Sequence, residues 1–187
     1  MEHKDNNKVL TGKLKDIAKM LAKNYSVKIG LLADQGGSDS VSNNLDLAGL
    51  GAVMEYGAQI KVTDKMRNFL RYEFGVNLKK TTQYINIPAR SWLYEPIKSP
   101  EFRKLILEYV GDKELFENYA DKADMKKLAN LIGEAGLMQI QKAFDNGGIN
   151  GEWAANSPVT IKQKGSSKPL IDTGYLRHRI TFEVEGA

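Results

Sequence analysis

Leu170-Ile171-Asp172-Thr173-Gly174 is the stretch whose residue types come nearest to a reaction. An aspartate in Asp-Thr-Gly activates water for peptide hydrolysis when a second such carboxylate shares its proton. The sequence holds a single Asp-Thr-Gly, and the few residues after Gly174 do not suffice for the flap and remaining sheet of an acid-protease lobe. The stretch therefore reads as a turn into a short helix, with Thr173 as cap and Tyr175-Leu176-Arg177-His178 as the first turn. Asp172 is expected to be structural.

Gly165-Ser166-Ser167-Lys168 has the small residues of a phosphate loop. It lacks the Gly-x-x-x-x-Gly-Lys-Ser/Thr spacing and a preceding apolar strand, so it reads as a surface turn, at most a small anion nest. His3 and His178 are the only histidines and cysteine is absent, so a zinc site would need mostly carboxylate ligands. Trp92, Tyr94 and Trp153 could stack on bases, though such aromatics more often anchor a core or an interface. No residue set specifies a reaction, and the expectation is a protein that is not an enzyme and needs no metal or cofactor.

The elements that position these residues belong to a chain of 187 residues, 42% hydrophobic and 27% charged, proportions that fit one globular domain. Such a length buries roughly 70% of the surface of the unfolded chain, enough for a real core. Without cysteine there is no disulfide framework, which fits a reducing cytoplasm. No apolar run approaches the ~20 residues of a membrane span. Met1 to Lys8 is polar, so the chain is expected to be made and used without export and without a membrane. A net charge of +4 permits contact with nucleic acid or an acidic surface, yet the lysines are spread along the chain and read as a solvated surface.

Apolar spacing predicts a helix over Val9 to Lys23, and alternation predicts a strand from Tyr25 to Leu31. The polar stretch Asp34 to Asn44 reads as a mobile loop. Leu47, Leu50, Val53 and Met54 predict a helix capped by Asn44 and stopped by Gly57, followed by a short strand at Ile60 and Val62. Asp64 is expected to cap a helix carrying Met66, Phe69, Leu70 and Phe74, ended by Gly75, and Ile85 and Ile87 predict a strand ended by Pro88. Ser99-Pro100-Glu101 opens a helix with Phe102, Leu105, Ile106 and Tyr109 on one face. A short helix at Leu115, Phe116 and Tyr119 follows. A long helix then starts at Asp124, with Met125, Leu128, Ile132, Gly136, Ile140 and Phe144 on one stripe, and Asn146-Gly147-Gly148 closes it. The rest reads as a turn-rich segment and a strand through Ile180, Phe182 and Val184. The fold class implied is α+β, a small, mixed but mostly antiparallel sheet flanked by helices, in one domain over 1–187 with a helix-rich insertion around 99–123.

Three blocks carry a resemblance. Asn156 to Arg177 contains Thr160-Ile161-Lys162-Gln163-Lys164-Gly165-Ser166 and then Pro169-Leu170-Ile171-Asp172-Thr173-Gly174-Tyr175-Leu176-Arg177, with a strand after it. Upstream stand Ala52-Val53-Met54-Glu55-Tyr56-Gly57 and Ile87-Pro88-Ala89-Arg90-Ser91-Trp92-Leu93. In this order they resemble the tail-completion and head–tail joining proteins of tailed bacteriophages, the Mu-like virion morphogenesis and lambdoid neck proteins. Val62 to Arg67 is similar to longer members, whereas the helix-rich stretch Phe102 to Tyr119 departs from shorter ones.

The resemblance implies a ring-forming, tail-terminator-like subunit, a homo-oligomer and by analogy a hexamer, located in the virion neck after synthesis in the host cytoplasm. Its implied partners are further copies of itself, a tail tube protein and head-side connector or stopper proteins, with non-specific contact to packaged DNA in the lumen. A ring needs complementary but non-identical edges and no catalytic pocket. The assembly motif it marks is Lys164, Gly165, Pro169, Leu170, Ile171, Asp172, Thr173, Gly174, Leu176 and Arg177, together with Pro88 and Arg90. Arg177 is expected to meet a carboxylate on a neighbouring subunit. The alternative is a basic cytoplasmic protein that binds nucleic acid, which requires its cations to gather on one face.

Overall fold

Alternating residues and capped apolar stripes build an α+β chain, seen in a computed structural model that describes residues 19, 25–35, 37–42, 45–111 and 122–186. Its strands are β1 (Tyr25–Gly30), β2 (Ser40–Ser42), β3 (Leu45–Asp46), β4 (Ala58–Lys61), β5 (Tyr84–Ile87) and β6 (Thr181–Gly186). Its helices are α1 (Leu47–Tyr56), α2 (Asp64–Phe74), α3 (Tyr94–Lys98), α4 (Pro100–Gly111), α5 (Lys122–Asn146), α6 (Pro158–Lys164) and α7 (Tyr175–His178). Where one small sheet was expected, the described strands form three separate antiparallel pairs: β1 with β6, β2 with β3, and β4 with β5. No helix among the described residues is long and apolar enough to cross a membrane.

The chain divides into two units. The first comprises 1–30, 97–139 and 180–187. Here β1 pairs with β6 in the register Val27↔Val184 and Ile29↔Phe182, with alternate residues of β1 half-buried. The stretch of α5 in this unit buries Met125 and Leu128 against Tyr25, Ile106, Leu131 and Ile132. Two glycines let that helix lie close to the strands. A Cβ at Gly133 would fall 2.2 Å from Phe182, and one at Gly136 would fall 2.4 Å from Ile29. Ser99 caps α4 as its sequence predicts, its Oγ accepting the Phe102 N–H at 3.1 Å, and Gln139 donates to the same oxygen at 3.2 Å.

The second unit comprises 31–96 and 140–179. Its core is aromatic: Phe144 stands edge-on to Trp153 at 5.5 Å and tilted to Trp92 at 6.2 Å, with Leu47, Ile140 and Leu176 buried as well. Both indole N–H groups find acceptors, Trp92 at Gly51 O (2.9 Å) and Trp153 at Ser91 O (3.2 Å).

Several local readings are corrected. The cap of α1 is Asp46, not Asn44: its Oδ1 accepts the Gly49 N–H at 2.7 Å, and Asn44 lies outside the described residues. Thr63 caps α2, which leaves Asp64 at the first helical position, where its charge still favours the helix dipole. Gly174, in the left-handed region, precedes α7 without a side-chain cap, and Thr173 Oγ1 accepts the nearby Tyr175 N–H at 3.3 Å. The segment that reads as turn-rich also contains α6, capped by Ser157 with Pro158 in the first turn and ended by Gly165. The described part of Asp34–Asn44 is tied down by Gly37 N–H to Leu32 O, Leu47 N–H to Asp39 O and Ala48 N–H to Gly37 O. The expected helices over Val9–Lys23 (Lys19 apart) and Leu115–Tyr119 lie outside the described residues.

Candidate functional site: an apolar groove in the second unit

Helical spacing puts Leu47, Leu50 and Met54 of α1 on one stripe, and strand alternation puts Ile85 and Ile87 of β5 on one face. These five side chains, with Val41, Pro88, Ala155, Leu170 and Leu176, supply the apolar lining of a groove of about 840 Å³. That volume lies within the range of small-ligand and peptide sites. Ser157, Thr160, Thr173 and Tyr175 add hydroxyls, and Arg90, Lys164 and Asp172 add charge.

The charges are mostly spent within the fold. Arg90 is buried, and its Nε and Nη2 donate to the carbonyls of Ala154 (2.8 Å) and Ala155 (3.2 Å). Burial lowers its pKa from the ordinary arginine value. Lys164 ends α6 and turns its Nζ onto Lys168 O and Ile171 O, both at 2.7 Å. Burial lowers the Lys164 pKa; Asp172 opposes that shift and Arg90 adds to it. Asn156 Nδ2 donates to Ser167 O (3.1 Å) and Lys168 O (3.0 Å), so the loop after α6 is fastened twice. Within that loop Leu170 has φ +57°, a left-handed conformation that strains a branched side chain.

A buried carboxylate outside the groove holds the upstream blocks together. Glu55 accepts the backbone N–H groups of Trp92 (2.7 Å), Leu93 (2.9 Å) and Tyr94 (3.1 Å), and the Ser91 hydroxyl as well. It satisfies the free N–H groups where α3 begins, from a different helix. Ser91 Oγ then accepts the Glu95 N–H at 3.0 Å. Arg90 N–H also bonds Met54 O at 2.8 Å, beside Glu55.

Of the twelve residues expected to mark the assembly motif, Pro88, Arg90, Lys164, Leu170, Asp172, Thr173, Gly174 and Leu176 line this groove. Gly165, Pro169, Ile171 and Arg177 do not. Gly165 ends α6 in a left-handed conformation, Pro169 is half-buried in the loop, and Ile171 contributes its carbonyl to Lys164. Arg177 has its carboxylate on its own chain: Nη1 lies 2.6 Å from Asp145, and Nε donates to Gln141 Oε1. Glu55 has a role that no local pattern predicts. Its signal was a lone carboxylate on a largely apolar ten-residue helix. Asp172 is the one carboxylate among the described residues of the groove. No protein-family model, curated protein or solved structure matches the chain.

Proposed function

We propose that this chain is a structural subunit of a tailed-bacteriophage particle, a tail-completion or head–tail joining component that works as a homo-oligomeric ring. Its neighbours in that role are a tail tube protein and head-side connector or stopper proteins. One observation carries the reading beyond the sequence resemblance: the three resembling blocks meet in one unit through two buried charged side chains. Glu55 of the first block holds the second at Ser91 to Tyr94. Arg90 of the second holds the backbone at Ala154 and Ala155, immediately before the third. The pattern thus has a single structural cause, a shared scaffold around the groove.

Size-exclusion chromatography with light scattering tests the ring directly. A closed oligomer, or assembly promoted by tail tube protein, supports the reading. A monomer at every concentration, with or without that partner, overturns it. Asp172→Asn supplies a second test: acid-optimum peptide cleavage by the purified protein, abolished by this substitution, would replace the structural role with an enzymatic one.

A further inference from the structure

Between Ala58 and Tyr84 stand six cations, Lys61, Lys65, Arg67, Arg71, Lys79 and Lys80, against two carboxylates, Asp64 and Glu73. This balance of +4 equals that of the whole chain, so the remaining residues are neutral in sum. Charge that looks dispersed along the sequence is therefore concentrated in β4, α2 and the loop that leads to β5.

The same segment exposes aromatic rings. No residue of α2 is buried; Met66, Arg67, Leu70 and Phe74 are its half-buried stripe. Lys65, Phe69 and Tyr72, at i, i+4 and i+7, form a stripe turned to solvent, with Phe69 55% and Tyr72 78% exposed. The Arg71 guanidinium lies 5.9 Å from the centre of the Tyr72 ring. On the adjoining ladder Lys61 is directly opposite Tyr84, itself 47% exposed. Arg67, on the half-buried side of α2, donates to the carbonyls of Lys79 (2.8 Å), Lys80 (3.4 Å) and Thr82, which fastens the Lys79-Lys80 backbone to that helix on the side away from the ring stripe. A merely solvated basic face gains nothing from leaving large rings uncovered among its cations.

We propose that this face binds single-stranded nucleic acid without sequence preference. Phosphates meet Lys61, Lys65, Arg71, Lys79 and Lys80, and a base stacks on Tyr72, with Phe69 and Tyr84 as flanking platforms. A duplex keeps its base faces closed and would leave the rings idle. An acidic protein surface would answer the cations but not the rings. The inference rests on this surface alone and not on the particle role.

The test is fluorescence anisotropy of the full chain with a labelled oligothymidylate of about 20 nucleotides, long enough for a binding site of this kind. Binding is expected to weaken with salt at a log–log slope of roughly −2 to −3.5, as three to five phosphate contacts imply. Tyr72→Ala should weaken binding roughly 5- to 100-fold, and Tyr72→Phe should restore it. Tyr72 is exposed, and an unchanged melting curve verifies that both variants fold. Absence of binding at low salt overturns the proposal, as does equal displacement by polyglutamate. A duplex of equal length bound as tightly, with Tyr72→Ala indifferent, overturns it too. Loss of ring assembly would leave all of these outcomes unchanged.

Discussion

Glu55 and Trp92 hold each other in both directions. The Glu55 carboxylate accepts the Trp92 N–H at 2.7 Å, and the Trp92 indole returns a bond to Gly51 O, one turn earlier on the Glu55 helix. A charged side chain and one of the two tryptophans of the core are thereby set in one step.

Removal of that carboxylate leaves three N–H groups at the start of α3 without their acceptor. Glu55→Ala should cost about 3–5 kcal/mol, the range for one partner lost from a buried charged network. Glu55→Gln, which keeps one acceptor oxygen, should cost less. Urea unfolding checks both, and equal stability of Glu55→Ala and wild type would show that the N–H groups find other acceptors.

Arg177 and Asp145 should behave as an intramolecular pair. Asp145 is largely exposed, so solvent screens the interaction and each single alanine variant should lose about 1 kcal/mol or less. The two losses should fail to add in the double variant. Strict additivity, combined with loss of head–tail joining by Arg177→Ala, would return Arg177 to an intersubunit role.

Gly133→Ala should destabilise by about 1–3 kcal/mol, because the new methyl meets the Phe182 ring in a packed layer. Phe182→Leu in the same chain should recover part of the loss. A neutral Gly133→Ala in thermal melting would mean that α5 does not lie so close to β6.

Glu152 ties the turn after α5. Burial pushes its pKa up, but N–H groups of Asn150, Glu152 itself and Ile149 outweigh that and hold it below the ordinary value. A depressed folded-state pKa means that the folded chain binds fewer protons than the unfolded one. The stabilisation is therefore full above the ordinary carboxylate range and is lost as pH falls through the lowered value. Glu152→Gln should flatten stability against pH on the acid side, with little change near pH 7 in the slope. An unchanged acid slope would count against the turn.

Local signals made much of this legible. Alternation located β1, β5 and β6 to within a residue or two, and Ser99-Pro100 marked the start of α4. The same Ser-Pro signal at Ser157-Pro158 went unread because α6 is seven residues long and offers no repeated apolar stripe. Glu55 and Arg90 were hidden for another reason. The donor to Glu55 at Trp92 and the acceptor of Arg90 at Ala154 stand 37 and 64 residues away, and spacing within a window carries no trace of them. The groove is half visible in the sequence: the third block and Pro88-Arg90 stand out, but the apolar stripe of α1 that faces them signals only a helix.

The ladder of β1 and β6 joins Ser26 to Glu185, 159 residues apart. During synthesis β1 leaves the ribosome long before its only strand partner among the described residues exists. The second unit draws its two segments, 31–96 and 140–179, from between them. It can therefore complete its aromatic core while β1 still waits, an edge of unpaired backbone in a crowded cell. Strands paired across so long a sequence separation form slowly, and here the residues of β6 are the ones that end that exposure.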